Sequence, residues 1–168
     1  TEYLKSLGVK EVDLPRSKVW KEFAAEAVYK AKLAGFDAPP RIGQLRKGTK
    51  ALAMGSPTSG IGLTRKAFTK QIADKQVESG WLSQNNPIIH EIAHLEHAKS
   101  AGSSYDNLVN FNKSNHFLDM ALEVSGYAKT NGKEFVAEVF SGLLDGKEYS
   151  DGVMKLYNLL KGPIFNIL

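Results

Sequence analysis

A chain of 168 residues, 42% of them hydrophobic and 24% charged, has the composition of an ordinary globular protein and enough length to bury a sizeable core. It contains no cysteine, which excludes disulfides and thiolate metal clusters, and no apolar run near the ~20 residues that a membrane-spanning helix needs. The net charge of +4 is mild and its cations are scattered, which argues against a polyanion-binding surface.

Residues 1–16 read as a short helical turn and a connector ending at Pro15. Thr1 stands where an initiating Met would be, which suits a fragment or a processed form, and no signal peptide is visible. Ser17 is a candidate cap for a helix to about Leu33, with Trp20, Phe23, Ala24, Ala27, Val28 and Ala31 on one face and Gly35 as its stop. Pro39 and Pro40 then break helical periodicity. The densest basic stretch, Arg41, Arg46, Lys47 and Lys50, reads as a solvated loop region. Three short strands are expected around Arg41–Leu45, Lys50–Met54 and Gly60–Arg65, the last two joined by the turn-forming GSPTSG. Lys66–Ser79 reads as a helix or helical loop.

Asn86 and Pro87 look like the cap and first residue of the next helix, which Gly102 and two serines end. Lys113–Val124 is a further helix, SGYAKTNG a loop, Lys133–Leu144 a helix capped by Asn131, and Asp151–Leu160 a last one. One helix, a small sheet and then mostly helices make an α+β pattern in a single domain, residues 1–168, with a helix and sheet lobe to about residue 100 and a helical lobe beyond it.

The Asn86 helix carries three of the four histidines, and two of them, His90 and His94, bracket Glu91 as H-E-x-x-H. At 100° per residue they lie about 40° apart on one helix face, so both imidazoles can reach one metal ion. Glu91 falls about 100° round, beside such an ion, where a carboxylate can take a proton from the water that zinc polarises. Ile88, Ile92 and Leu95 form the opposite, core-facing side. His97 shares the ligand face one turn on, but a third ligand from the same helix splays too far. It is expected as an outer partner of the site or as an exposed residue. The longer H-E-x-x-H-x-x-G-x-x-H pattern fails at Ser100, and His116 has no assigned role. A catalytic zinc needs a third protein ligand. Glu134 and Glu138, i and i+4 on one helix, are candidates. They also fit a solvated polar strip with Ser141 and Asp145, and Glu134 fits a capping box with Asn131.

HEIAH, then YAKTNGKEFVAEVF with its Glu134 forty residues after His94, resembles the lethal-factor-type zinc metallopeptidases, a group near the Pro-Pro endopeptidases. The Gly80–Trp81 pair before the motif is similar to phage-encoded and toxin-associated zincin domains. The likeness covers about residues 80–145. It implies a zincin-like fold, with a small mixed sheet packed on the HExxH helix. It also implies His90, His94 and Glu134 as zinc ligands, Glu91 as general base, and Tyr127, seven residues before Glu134, as oxyanion donor. Glu138 becomes the acceptor that holds a ligand histidine. Ala93 and Val136 depart from the family's usual Gly and aromatic, and neither change removes a catalytic group.

The expected activity is therefore zinc-dependent hydrolysis of peptide bonds in a peptide or protein substrate. The strand near Gly60–Arg65, if it is a sheet edge, is either a place for extended substrate to pair or an ordinary edge strand. The alternatives are a catalytically silent zincin-fold module of structural or virion-associated type and, more remotely, a basic nucleic-acid-binding domain, for which no recognition motif is present. Neither a nucleic acid nor a membrane is expected as partner. The isolated chain is expected to be a monomer, or a piece of a larger protein. A secreted, toxin-delivered or virion-associated setting suits the resemblance better than cytoplasmic residence.

Overall fold

The computed structural model describes residues 1–165. Its elements run α1 (Glu2–Ser6), β1 (Glu11–Val12), α2 (Lys18–Leu33), β2 (Arg41–Gln44), β3 (Ala53–Ser56), β4 (Gly60–Leu63), α3 (Lys70–Glu78), α4 (Pro87–Ala101), α5 (Asn115–Val124), α6 (Gly132–Leu144) and α7 (Asp151–Leu159), with short 3-10 turns at Gly102–Ser104, Asp106–Asn110 and Tyr127–Lys129. The architecture is α+β, and the sheet is mixed.

Helix α2 begins where Ser17 turns extended backbone into helix, but the Ser17 side chain accepts no N–H of the first turn, and its hydroxyl donates to the Phe68 carbonyl (2.9 Å). The face anticipated from periodicity is buried, and Trp20 stacks on Phe68 with ring centroids 4.9 Å apart. Gly35 closes the helix at φ +90°, letting Phe36 N–H reach back to the Ala31 carbonyl (2.9 Å).

The sheet has the order β1-β2-β4-β3, with β1, β2 and β4 parallel and β3 antiparallel to β4. The strand expected at the edge, Gly60–Leu63, is therefore interior: Ile61 and Leu63 pair with β2 on one side and β3 lies on the other. The hairpin folds β4 inward, beside β2, and leaves β3 outermost. Strand β3 starts three residues later than the expected Lys50–Met54 and ends two later, because pairing runs on to Ser56 opposite Gly60 and leaves only Pro57, Thr58 and Ser59 as the loop. Strand β1, two residues long, had no sequence signal; β2 supplies its hydrogen-bonding partner.

Helix α4 sits at the centre, against β3 and β4, α2 and α6. The Asn86 side chain accepts from Ile88 N–H (3.1 Å) as cap and donates to the Phe23 carbonyl (2.9 Å), which ties the start of α4 to α2. Ile88, Ile89, Ile92, Ala93 and Leu95 are all buried, so the apolar surface wraps most of the helix. Helix α6 crosses α4 with Phe135, Val136, Val139 and Phe140 buried, and Asn131 caps it by accepting from Glu134 N–H (3.1 Å). Where α6 meets α4, Glu134 and Glu138 face the histidines of the motif.

Candidate metal centre

In the layer between these two helices His90 Nε2, His94 Nε2 and Glu134 Oε2 form a triangle with sides of 3.1 Å between the imidazoles and 2.8 and 3.2 Å from His90 and His94 to the carboxylate. Among the described residues they are the group of three such side chains whose donor atoms converge closely enough to hold one ion. A tetrahedral zinc with ligands at about 2.0–2.1 Å sets its donors about 3.3 Å apart. The triangle is slightly tighter than that, its donors are two nitrogens and a carboxylate oxygen, and a fourth position remains for water. The residues fit the ion.

The surroundings of the three donors are specific. His90 Nδ1 donates to Glu138 Oε2 (2.9 Å). Glu138 is 1% exposed, and its other oxygen accepts from Ser83 N–H (2.9 Å) and the Ser125 hydroxyl (2.8 Å). The Ser83 hydroxyl donates to the Glu138 carbonyl as well (2.8 Å). A carboxylate buried this deeply needs such partners, since an unpaired one would lose its hydration without compensation. His94 Nδ1 shares a hydrogen bond with the Tyr105 hydroxyl (3.2 Å), and the Lys133 ammonium lies 4.2 Å over the Tyr105 ring. The solvated-strip reading of α6 fails here: Glu138 and Ser141 are buried because that face meets α4. Glu134 occupies the position of a capping-box acid, but its carboxylate turns to the histidines.

Burial alone would lower the His90 pKa, but hydrogen bonds to Glu134 and Glu138, with the charges of Glu138 and Glu91, hold it well above the ordinary imidazole value. Burial would raise the Glu134 carboxyl, yet the two histidines hold it well below the usual carboxylate range. The Tyr127 hydroxyl is pushed up to about 12, first by burial and then by the charges of Glu134, Glu91 and Glu138, so it remains a proton donor at neutral pH.

Glu91 and Tyr127 join His90 and Glu138 in lining a cavity of about 270 Å³. The Tyr127 ring lies 5.6 Å from the His90 ring and 5.7 Å from that of Trp81. Tyr127 is held there by its backbone: Gly126 N–H donates to the Gly80 carbonyl and Tyr127 N–H to the Trp81 carbonyl, each at 2.9 Å. Gly126 packs so closely on the Trp81 ring that an added Cβ would come within 2.6 Å of it. Glu91 lies under β3, where a Cβ on Gly55 would meet Leu95 Cδ1 at 2.7 Å and Glu91 Oε2 at 3.0 Å.

All six residues singled out from the sequence, His90, Glu91, His94, Tyr127, Glu134 and Glu138, thus lie in or beside one layer. His97 does not belong to it in the expected way. It is fully buried with Nε2 bonded to the Leu160 carbonyl (2.8 Å), and burial lowers its pKa to about 4, outweighing that bond. It is a neutral interior histidine, neither exposed nor in contact with the three donors. Ser83, Ser125 and Tyr105 were not anticipated, because each arrives from a loop or turn with no motif of its own. His116 is exposed. Compared with family models, curated proteins and solved structures, the chain matches none of them.

Proposed function

We propose that this protein is a zinc-dependent hydrolase of zincin-like type. The observation that carries the reading is the convergence of Glu134 with the two histidines of H-E-x-x-H at ligand spacing, with Glu91 left free in the adjoining cavity. Zinc held by His90, His94 and Glu134 would supply Lewis acidity, polarising both water and an acyl carbonyl. Glu91 takes the proton of the attacking water and returns it to the leaving group. The Tyr127 hydroxyl donates to the oxyanion that develops on the carbonyl. Glu138 fixes the tautomer and ring plane of His90, and Tyr105 does so for His94, as the outer partners of metal-binding histidines do.

The substrate we infer is a peptide in extended form, which makes the protein a metallopeptidase. Support comes from β3. Thr64 N–H bonds to the Leu52 carbonyl, so in the register Ala53↔Leu63 and Gly55↔Ile61 the backbone groups of Ala53 and Gly55 face outward from the sheet. These outward groups border Glu91, and a peptide adding a strand there runs its backbone past the general base. The pairing edge is thus β3, in place of the Gly60–Arg65 strand expected from sequence.

The test is zinc stoichiometry together with cleavage profiling on a peptide library. About one zinc per chain, cleavage lost on chelation and cleavage restored by added zinc are the expected results. A folded chain that takes up no zinc removes the proposal, and a zinc-loaded chain that cuts no peptide removes its peptidase half.

A further inference from the structure

The cavity beside Glu91 continues into a second one, of about 360 Å³, between the Lys50–Leu52 stretch and α3. Both are walled by Leu52, Trp81 and Pro87, so they form one groove leading away from the catalytic layer. The buried residues Phe68 and Ala73 line the second part. Leu52, Ile72 and Trp81 are 38%, 46% and 47% exposed along it, an unusual concentration of large apolar groups left in water. Lys50 and Lys66 are the charged residues that line it. Among the described residues, no carboxylate pairs with either within 4.0 Å.

We propose that this groove selects the substrate: it takes a large apolar side chain, Phe, Leu or Met, from the peptide near its scissile bond, with an acidic side chain within two residues of it. The inference rests on the peptidase reading and adds its specificity. Continuity with the Glu91 cavity fixes the occupant as the same peptide that pairs with β3. The volume and apolar walls fit a side chain too large for Ala-sized pockets, and burying it removes both it and the exposed Trp81, Leu52 and Ile72 from water. Among the described residues no carboxylate neutralises the two ammonium groups, and long lysine stems let them reach an anion beside the apolar anchor. An acidic neighbour is therefore attracted and a basic one repelled.

Binding to the whole chain carrying Glu91→Gln tests this without turnover, with zinc and without it. The probes are ten-residue peptides of Ala, Gly and Ser that contain Phe-Asp, Phe-Lys or Ala-Asp. Trp81 fluorescence reports occupancy, because Trp20 is fully buried against Phe68. Phe-Asp is expected to bind about 10–100-fold tighter than Ala-Asp and about tenfold tighter than Phe-Lys. Lys50→Glu combined with Lys66→Glu, both at exposed positions, should reverse the second preference and keep the first. Equal affinities for the three peptides, no binding of any, or a preference untouched by the charge reversal overturns the proposal. A Trp81 signal that follows protein concentration rather than peptide assigns the groove to a second copy of the chain and also overturns it. Cleavage by the zinc-loaded wild type separates the two claims. Peptide selection without cleavage rejects the peptidase reading alone, and cleavage without selection rejects the groove alone.

Discussion

Helix α4 carries two kinds of histidine three residues apart. His94 and its neighbour His90 face α6, where Glu134 and Glu138 meet them, while His97 faces the end of α7, with the Leu160 carbonyl as its hydrogen-bond partner and the Tyr105 ring edge-on at 5.1 Å. The same side chain on the same helix is drawn toward its charged form at His90 and toward its neutral form at His97. What differs is the partner set. Converging carboxylates make a site for a cation, whereas a single carbonyl in an apolar setting makes a hydrogen-bonded core residue. The His97 Nδ1 atom, buried without a partner, marks the second case, since a proton there would have no acceptor.

Zinc binding is the largest way to break that contrast. His90→Ala or His94→Ala removes one of the three proposed ligands and should weaken zinc by about 10³-fold or more in competitive chelator titration. His97→Gln should leave the affinity within a few-fold. A large zinc defect in a folded His97→Gln protein would join the two kinds into one.

Tyr127→Phe deletes one hydroxyl from the cavity and nothing from the ligand triangle. A fall in kcat of about 10²-fold with unchanged zinc affinity is expected. Full kcat would reduce Tyr127 to the ring that packs between Trp81 and His90.

The His97 half of the contrast is read in stability against pH. Its folded pKa of about 4 lies below the ordinary 6.5, so the unfolded chain binds the extra proton first as pH falls. The neutral-His97 contribution is complete above pH 6.5 and is lost as pH drops toward 4, amounting to about 3 kcal/mol. Urea unfolding of wild type and His97→Gln between pH 7.5 and 4 should diverge in slope over that window. Parallel curves would mean that His97 charges as freely in the folded protein as in the unfolded one.

The smallest effects belong to the supports of the triangle. Glu138→Gln should weaken zinc by about 10–100-fold, less than Glu134→Gln, because Glu138 acts through His90. Ser125→Ala removes one of two donors to the remote Glu138 oxygen and should cost less again. The reverse order for the two glutamates would exchange their roles.

Much of this arrangement was legible because its signals are local. Asn86-Pro87 and Asn131 fixed the starts of α4 and α6, and helical spacing put His90 and His94 on one face. Spacing could not decide whether the Glu134–Glu138 face met water or another helix, since i and i+4 share a face in either case. That depended on α4 lying across it and on Ser83 and Ser125 arriving from distant loops to satisfy a buried carboxylate. The fate of His97 was illegible for the same reason: its partner lies 63 residues away, past the end of α7. The Gly60–Arg65 strand was expected at an edge because the pairing of β4 with β2 is a long-range contact, which neither strand's composition records.

The account turns on Glu91 acting as a base while the metal is held by others. Glu91→Gln keeps the size of the side chain and removes its basicity. Zinc content and peptide cleavage measured on the same preparations of wild type and variant test this most directly. The expected result is equal zinc with cleavage reduced by about 10²-fold or more. Unreduced cleavage at equal zinc would contradict the assignment of the base, and loss of zinc from a folded Glu91→Gln protein would contradict the ligand triangle itself.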